Sequence, residues 1–159
     1  MKIEIHIAPA HRDDLAAIMT LERAGFPEPE RWSERSWLGE LLGDGRTILI
    51  ARAQFPVGVI TVQTVGELAD LHRLVVAPAH RRKGVGTVLV TSALAAARQH
   101  GARAVILEVD YSNDPAIAFY SGLGFEQLYA RENYYGPGRH ALILKLHELE
   151  NWGDQVQPS

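Results

Sequence analysis

A strand-forming run, "LHRLVVA" (71–77), leads into a basic turn with two glycines, "PAHRRKGVG" (78–86), and then into apolar residues at helical spacing. Val85, Val88, Leu89, Ala93 and Ala96 form one stripe, which Val90, Leu94 and Ala97 widen, so most of this helix must be buried. Arg98 and His100 fall in its last turn and Gly101 is placed to stop it, as the helix dipole and the C-cap require. The run "ARAVILEVD" (102–110) that follows is a continuous apolar strand, covered on both faces. Two strands joined through a helix pair in parallel, and the first connecting loop then lies at the carboxyl end of the sheet, where open α/β folds bind ligands.

The rest of the chain must fit around this unit. Ile3, Ile5 and Ile7 alternate with polar residues in an opening strand. A helix from Asp13 or Asp14, with Leu15, Ile18 and Met19 on one face, stops near Gly25. "FPEPERWSERSWLGELLGDG" begins as a proline-broken loop, becomes a short helix near Ser33, and turns at Gly43–Gly45. "TILIARA" and "VGVITVQTV" join "LHRLVVA" in an antiparallel meander with turns at "QFP" and "GELAD". In "SNDPAIAFYSGLGF", Asn113 or Asp114 caps a helix, Pro115 suits its first turn, and Gly122 and Gly124 end it. "EQLYARE" and "HALILKLHEL" are two last strands around a loop "NYYGPGR", and residues 151–159 are expected to fray as a flexible tail. The expectation is one α/β (α+β) domain over residues 1–150, with a mixed, mostly antiparallel sheet of about seven strands and about four helices.

Composition narrows the partners. The net charge of −3 over 159 residues offers no basic field for nucleic acid, and no apolar run approaches a membrane span. Cysteine is absent, so disulfides, thiolate metal sites and a cysteine nucleophile are excluded. The seven histidines show no H-x-x-x-H spacing, so no metal site is expected. A soluble cytoplasmic protein without a secretory leader, a monomer or homodimer, is the default.

What the basic turn can hold follows from helix geometry. A helix N-terminus offers unpaired N–H groups and the positive end of its dipole. Gly84 and Gly86 let an anion approach the backbone, and Arg81, Arg82 and Lys83 add charge. A solvated surface turn with a glycine hinge fits the same residues. The spacing matches neither a P-loop nor a Rossmann loop.

Read as R-x-x-G-x-G, Arg81 to Gly86 resembles the pyrophosphate loop of the GNAT N-acetyltransferases. Asn113, Ala116, Tyr120, Gly124 and Phe125 resemble that family's N-x-x-A-x-x-x-Y-x-x-x-G-F, in the expected order after a helix and a strand. The resemblance implies a GNAT-like fold and acetyl-CoA as cosubstrate. It implies that the backbone of Leu74, Val75 and Val76 bonds the pantetheine arm and that the loop amides of Arg82, Lys83, Gly84, Val85, Gly86 and Thr87 hold the pyrophosphate. Asn113 would lie near the pantetheine arm.

Acetyl transfer to an amine needs the neutral amine. An α-amino group of pKa ~8 is roughly a tenth neutral at pH 7, while a lysine near ~10.4 is almost wholly charged. A carboxylate can take the proton, and Glu108 is the candidate because it interrupts an otherwise apolar strand. A strand-end residue reaching solvent or an arginine is the plain alternative. Tyr120 is the candidate acid for the departing thiolate, though it also lies on a helical stripe with Ala116, Phe119 and Leu123 that reads as core.

"LEVDYSNDPAIAFYSGLGF" followed by "ARENYY" is similar, more narrowly, to the ribosomal-protein-alanine N-acetyltransferases, which acetylate a protein N-terminus. That resemblance implies Glu108 as base and Tyr120 as acid, with Tyr134 and Tyr135 shaping the substrate cleft. Two departures concern the acceptor side: "FPEPERWS" carries extra residues between Phe26 and Trp32, and His140 stands where an Asp commonly begins the last strand. Glu28, Glu30 and Glu34 could attract a basic peptide or simply be solvated. A lysine, a polyamine or another small amine remains open as acceptor, as does a non-catalytic acetyl-CoA-binding module.

Overall fold

The computed structural model describes residues 4–155. Seven strands form one sheet: β1 (His6–Pro9), β2 (Arg46–Arg52), β3 (Pro56–Val65), β4 (Leu68–Val76), β5 (Ala104–Asp110), β6 (Glu126–Gly136) and β7 (Arg139–Leu146), in the order β1-β2-β3-β4-β5-β7-β6. Among the described residues only β4 and β5 run parallel, joined by α3 (Val85–Gln99), so the unit expected around the basic turn is present. The other helices are α1 (Leu15–Gly25), α2 (Glu34–Leu42), α4 (Asp114–Gly122) and α5 (Leu149–Gln155).

Alternation along the strands divides the core between the two faces of the sheet. Ile48, Ile50, Val59 and Val75 pack under α1 and α2 with Ile18 and Trp37. Val57, Val62, Val105, Leu107 and Leu144 pack with Leu89 and Leu94 of α3, and with Tyr120, Leu149 and Trp152. Each such aliphatic side chain contributes about 1.5–3 kcal/mol on burial. Helices therefore cover both faces, and the strand ends of the β4–β5 unit are left to form a site.

The sheet parts in its middle. β4 and β5 pair only at Leu68↔Ala104, Ala69↔Val105 and Asp70↔Ile106. Beyond them β4 stays with β3 up to Gly58↔Val76, and β5 stays with β7 up to Asp110↔Ala141. The β3–β4 register slips between Thr61 and Val62, which pair with Arg73 and Leu71, so His72 is an extra residue in a bulge where the strands separate.

Several expectations are corrected. The opening strand is His6–Pro9, shorter than expected, and Ile3 lies outside the described residues. The turn before β4 is only Gly66 and Glu67, since Val65 pairs with Leu68. β6 continues to Gly136, which pairs with Arg139, so Tyr134 and Tyr135 lie on a strand rather than in a loop. A fifth helix joins the four expected, and fraying does not begin at residue 151. Leu149 and Trp152, three residues apart on one helical face, are both buried, and Trp152 Nε1 donates to the Leu123 carbonyl at 3.0 Å. Residues 156–159 lie outside the described ones. Among the described residues no helix is long and apolar enough to cross a membrane.

Candidate acetyl-transfer site

The split divides the candidate residues into two groups. At the α3 end, Leu74, Val75 and Val76 bond β3 on one side, while the side toward β5 carries no strand partner. Gly84 begins α3 with φ +85° and no side chain caps the helix. The first intrahelical bond shown comes from Val88 N–H to Gly84, 3.0 Å, so the N–H groups of Val85, Gly86 and Thr87 project from an uncapped positive helix end.

The two glycines serve different needs. A Cβ on Gly84 would meet nothing within 4 Å, so this is the open side of the turn. A Cβ on Gly86 would lie 3.3 Å from Phe119 Cζ and 3.7 Å from Val76 Cγ2, so this glycine permits α3 to close against α4 and the end of β4. The three cations also differ. Arg81 is committed to the protein, donating through Nε to the Val76 carbonyl at 3.3 Å and through Nη2 to the Gly25 carbonyl at 2.9 Å. Arg82 and Lys83 are exposed and form no ion pair among the described residues, which leaves their charge for a ligand. Asn113 accepts from Ala116 N–H at 3.2 Å and caps α4. The uncapped helix end, open glycine and two free cations fit a diphosphate. A side chain on Gly84 would stand on the open side of the turn, where an anion must approach the backbone, so Gly84→Val is expected to weaken acetyl-CoA binding about tenfold. Calorimetry reads this directly, and an unchanged Kd would remove the turn from the binding site.

On the other side of the split, Leu107 and Val109 of β5 face the core while Glu108 faces out. Tyr134 donates its hydroxyl to Glu108 Oε1 at 3.3 Å, and this bond to a carboxylate raises the phenol's pKa. The Tyr135 ring stands edge-on to Tyr134 at 5.1 Å; burial, then the charges of Glu108 and Asp110, push its phenol up to about 12. A cavity of about 380 Å³ opens beside Glu108, lined also by Trp32, Ser36, Glu40, Asp70, Leu71 and His72. Tyr120 does not join this group. It is buried on the opposite face of β5 with Leu107 and Val109, between the rings of Phe119 and Phe125, and burial raises its phenol pKa so that it stays protonated.

The sequence reading missed two buried carboxylates that shape the cavity's wall. Glu22 is fully buried, accepting from Trp37 Nε1 at 2.9 Å and the Trp32 N–H at 3.1 Å, and pairing with Arg73. Glu40 accepts from Thr61 Oγ1 at 2.8 Å and from Arg46, and shares a 2.7 Å hydrogen bond with His72 Nδ1. Burial opposes ionisation of Glu40, yet the bonds from His72 and Thr61 hold its pKa low; the same bond raises that of His72, while burial raises that of Asp70. Glu22 had a legible signal, because it continues the Leu15–Ile18–Met19 stripe one step further. Among the described residues, no group of three or more His, Cys, Asp or Glu side chains could hold a metal ion.

Comparison with known proteins agrees with this geometry. Residues 9–125 match the acetyltransferase (GNAT) family. A ribosomal protein bS18-alanine N-acetyltransferase of Salmonella typhimurium is 32% identical over 137 residues, covering 84% of this chain and 90% of that one. The crystal structure of the Escherichia coli ribosomal-protein-S18-alanine N-acetyltransferase superposes with a TM-score of 0.82 at 26% identity, covering 91% of this chain and 94% of that one. The Arabidopsis thaliana NAA60 protein, solved with acetyl-CoA, shares the fold with a TM-score of 0.80 at 18% identity, over 91% of this chain and 98% of that one. Split sheet, uncapped helix end and sequence kinship agree: the chain belongs to the GNAT acetyltransferase family and is an acetyl-CoA-dependent N-acetyltransferase.

Proposed function

We propose that the acceptor is the α-amino group of a protein N-terminus, with Glu108 as general base and Tyr120 as general acid. The carrying observation is that Glu108 stands at the mouth of the acceptor cavity, beside the parted strands, with Tyr134 bonded to it. The thioester supplies an activated acetyl group and a thiol leaving group. Glu108 takes a proton from the incoming ammonium, and the freed nitrogen lone pair forms the new bond to the acetyl carbon. The carbon–sulfur bond then breaks, and the buried Tyr120 phenol gives its proton to the sulfur. It is replenished by the second proton of the amine, so one proton is released per turnover. Glu108 and Tyr120 lie on opposite faces of β5, as two groups acting on opposite sides of an acyl centre in the split would need to be. The cavity's carboxylates, Glu40, Asp70 and Glu108, favour a cationic acceptor, which keeps polyamines as the second reading.

Release of free coenzyme A is measured with an Ala-starting basic peptide, the same peptide N-blocked, and spermidine. Turnover confined to the free N-terminus is expected. Turnover with spermidine alone would keep the chemistry and overturn the acceptor.

A further inference from the structure

The parting of β4 from β5 starts at Asp70, whose pairing with Ile106 is the last between the two strands. Glu108 follows Ile106 by two residues, so Asp70 and Glu108 share one face of the sheet, and both line the acceptor cavity. Among the described residues Asp70 pairs with no arginine or lysine. The one basic group beside it is His72, whose Nε2 lies 3.8 Å from Asp70 Oδ2. The other ring nitrogen is fixed. His72 Nδ1 shares a 2.7 Å hydrogen bond with Glu40 Oε1, which also accepts from Thr61 Oγ1 at 2.8 Å, while Arg46 Nε lies 3.4 Å from Glu40 Oε2. Glu40 of α2, Asp70 of β4 and Arg46 of β2 thus surround one imidazole, with Glu108 of β5 lining the same cavity.

The two carboxylates are not held alike. Glu40 can only accept, so a neutral His72 keeps its Nδ1–H there and turns an Nε2 lone pair toward Asp70. Glu40 therefore has three partners in either state of the ring, whereas Asp70 has one only while the ring is charged. We propose that Asp70 is the group that selects a cationic acceptor and that His72 controls it. Charged, the imidazolium holds the Asp70 carboxylate for the protein; neutral, it releases that carboxylate to the acceptor's cation. The inference rests on the reading of this cavity as the acceptor site. Its sign is fixed. The bond to Glu40 raises the pKa of His72, and the cavity gains one negative charge as pH rises through that value. Over the same range Glu40 stays ionised, because the bonds from His72 and Thr61 outweigh its burial, and Tyr134 and Tyr135 stay protonated. Cation binding then strengthens with pH.

The probe must be a permanent cation, because the amine's own titration would mask the effect. An Ala-starting peptide with a trimethylated N-terminus cannot be acetylated. Its inhibition constant is measured from pH 6.5 to 9.5, beside that of hexamethonium, a quaternary diamine. In wild type the peptide's Ki is expected to fall about fivefold across this range, the scale of one partly exposed ion pair. His72→Asn keeps an N–H donor for Glu40 without a charge, so its Ki should stay near the alkaline wild-type value throughout. Asp70→Asn should raise Ki most at the alkaline end. A histidine serving only the fold would shift Ki by one factor at every pH. A fall that survives His72→Asn, no fall in wild type with either cation, or no inhibition by either, overturns the proposal. Failure of the N-terminal reading looks different: hexamethonium then shows the fall and the trimethylated peptide does not inhibit.

Discussion

Glu108→Gln is expected to lower kcat by about a hundredfold or more, the range of a positioned general base, while the acetyl-CoA Kd stays where it was. Glutamine keeps the length of the side chain, and its carbonyl oxygen still accepts the Tyr134 hydroxyl, which lies 3.3 Å from Glu108 Oε1. Only the ability to take a proton is lost. Among the described residues Glu108 bonds Tyr134 and neither Arg82, Lys83 nor the first turn of α3, so the basic turn has no reason to respond. The deficit should also depend on pH. Below the amine's own pKa of ~8 the base is needed to produce the nucleophile; above it the amine is neutral unaided, and wild type and variant should converge. Rates from pH 6 to 9.5 on an N-terminal peptide provide the check. A variant as fast as wild type at pH 7 would pass the role to another group lining the cavity, with Asp70 the first to be replaced.

The two halves of the site were not equally legible in the sequence. The α3 side is local chemistry: strand, basic turn, glycine at φ +85° and buried helix are contiguous, so spacing singled out the turn and the resemblance to the GNAT pyrophosphate loop supplied its expected ligand. Even there Arg81, Arg82 and Lys83 look alike as letters. What separates them is Arg81's bond to Gly25, a partner 56 positions away. The parting of β4 from β5 is invisible locally, because β5 follows β7 while β4 stays paired with β3 on both sides of the bulge at His72. Glu108 could be found as an intrusion in an apolar strand, yet its partner Tyr134 comes from a strand mistaken for a loop, since Asn133, Gly136 and Gly138 read as turn residues. The helical segment after β7 was missed because Gly153 and a polar end outweighed the Leu149–Trp152 spacing. Tertiary cover overrides such composition when two apolar side chains find a groove.

The buried pair of Glu22 and Arg73, 51 residues apart, supports the acceptor side and carries the second large effect. Glu22→Ala would leave Arg73 beside the Phe26 ring without a carboxylate, and would strip Trp37 Nε1 and the Trp32 N–H of their acceptor. Breaking one side of a buried ion pair costs about 3–5 kcal/mol. For a domain of this size each kcal/mol lowers Tm by roughly 2–4 °C, so Tm should fall by about 10 °C. Arg73→Ala should cost less than Glu22→Ala, because the carboxylate keeps both tryptophan N–H donors. The double variant should cost less than the sum of the two, as residues sharing one interaction require. Denaturant midpoints for the four proteins measure all of this, and a Glu22→Ala loss below about 1 kcal/mol would reduce the pair to a surface-like contact. The functional consequence has a direction as well. Glu22 and Arg73 hold the segment from Phe26 to Trp32 that walls the cavity. At temperatures where Glu22→Ala remains folded, its KM for the acceptor should rise while its acetyl-CoA Kd does not, because Arg82, Lys83 and the first N–H groups of α3 bond neither Glu22 nor Arg73.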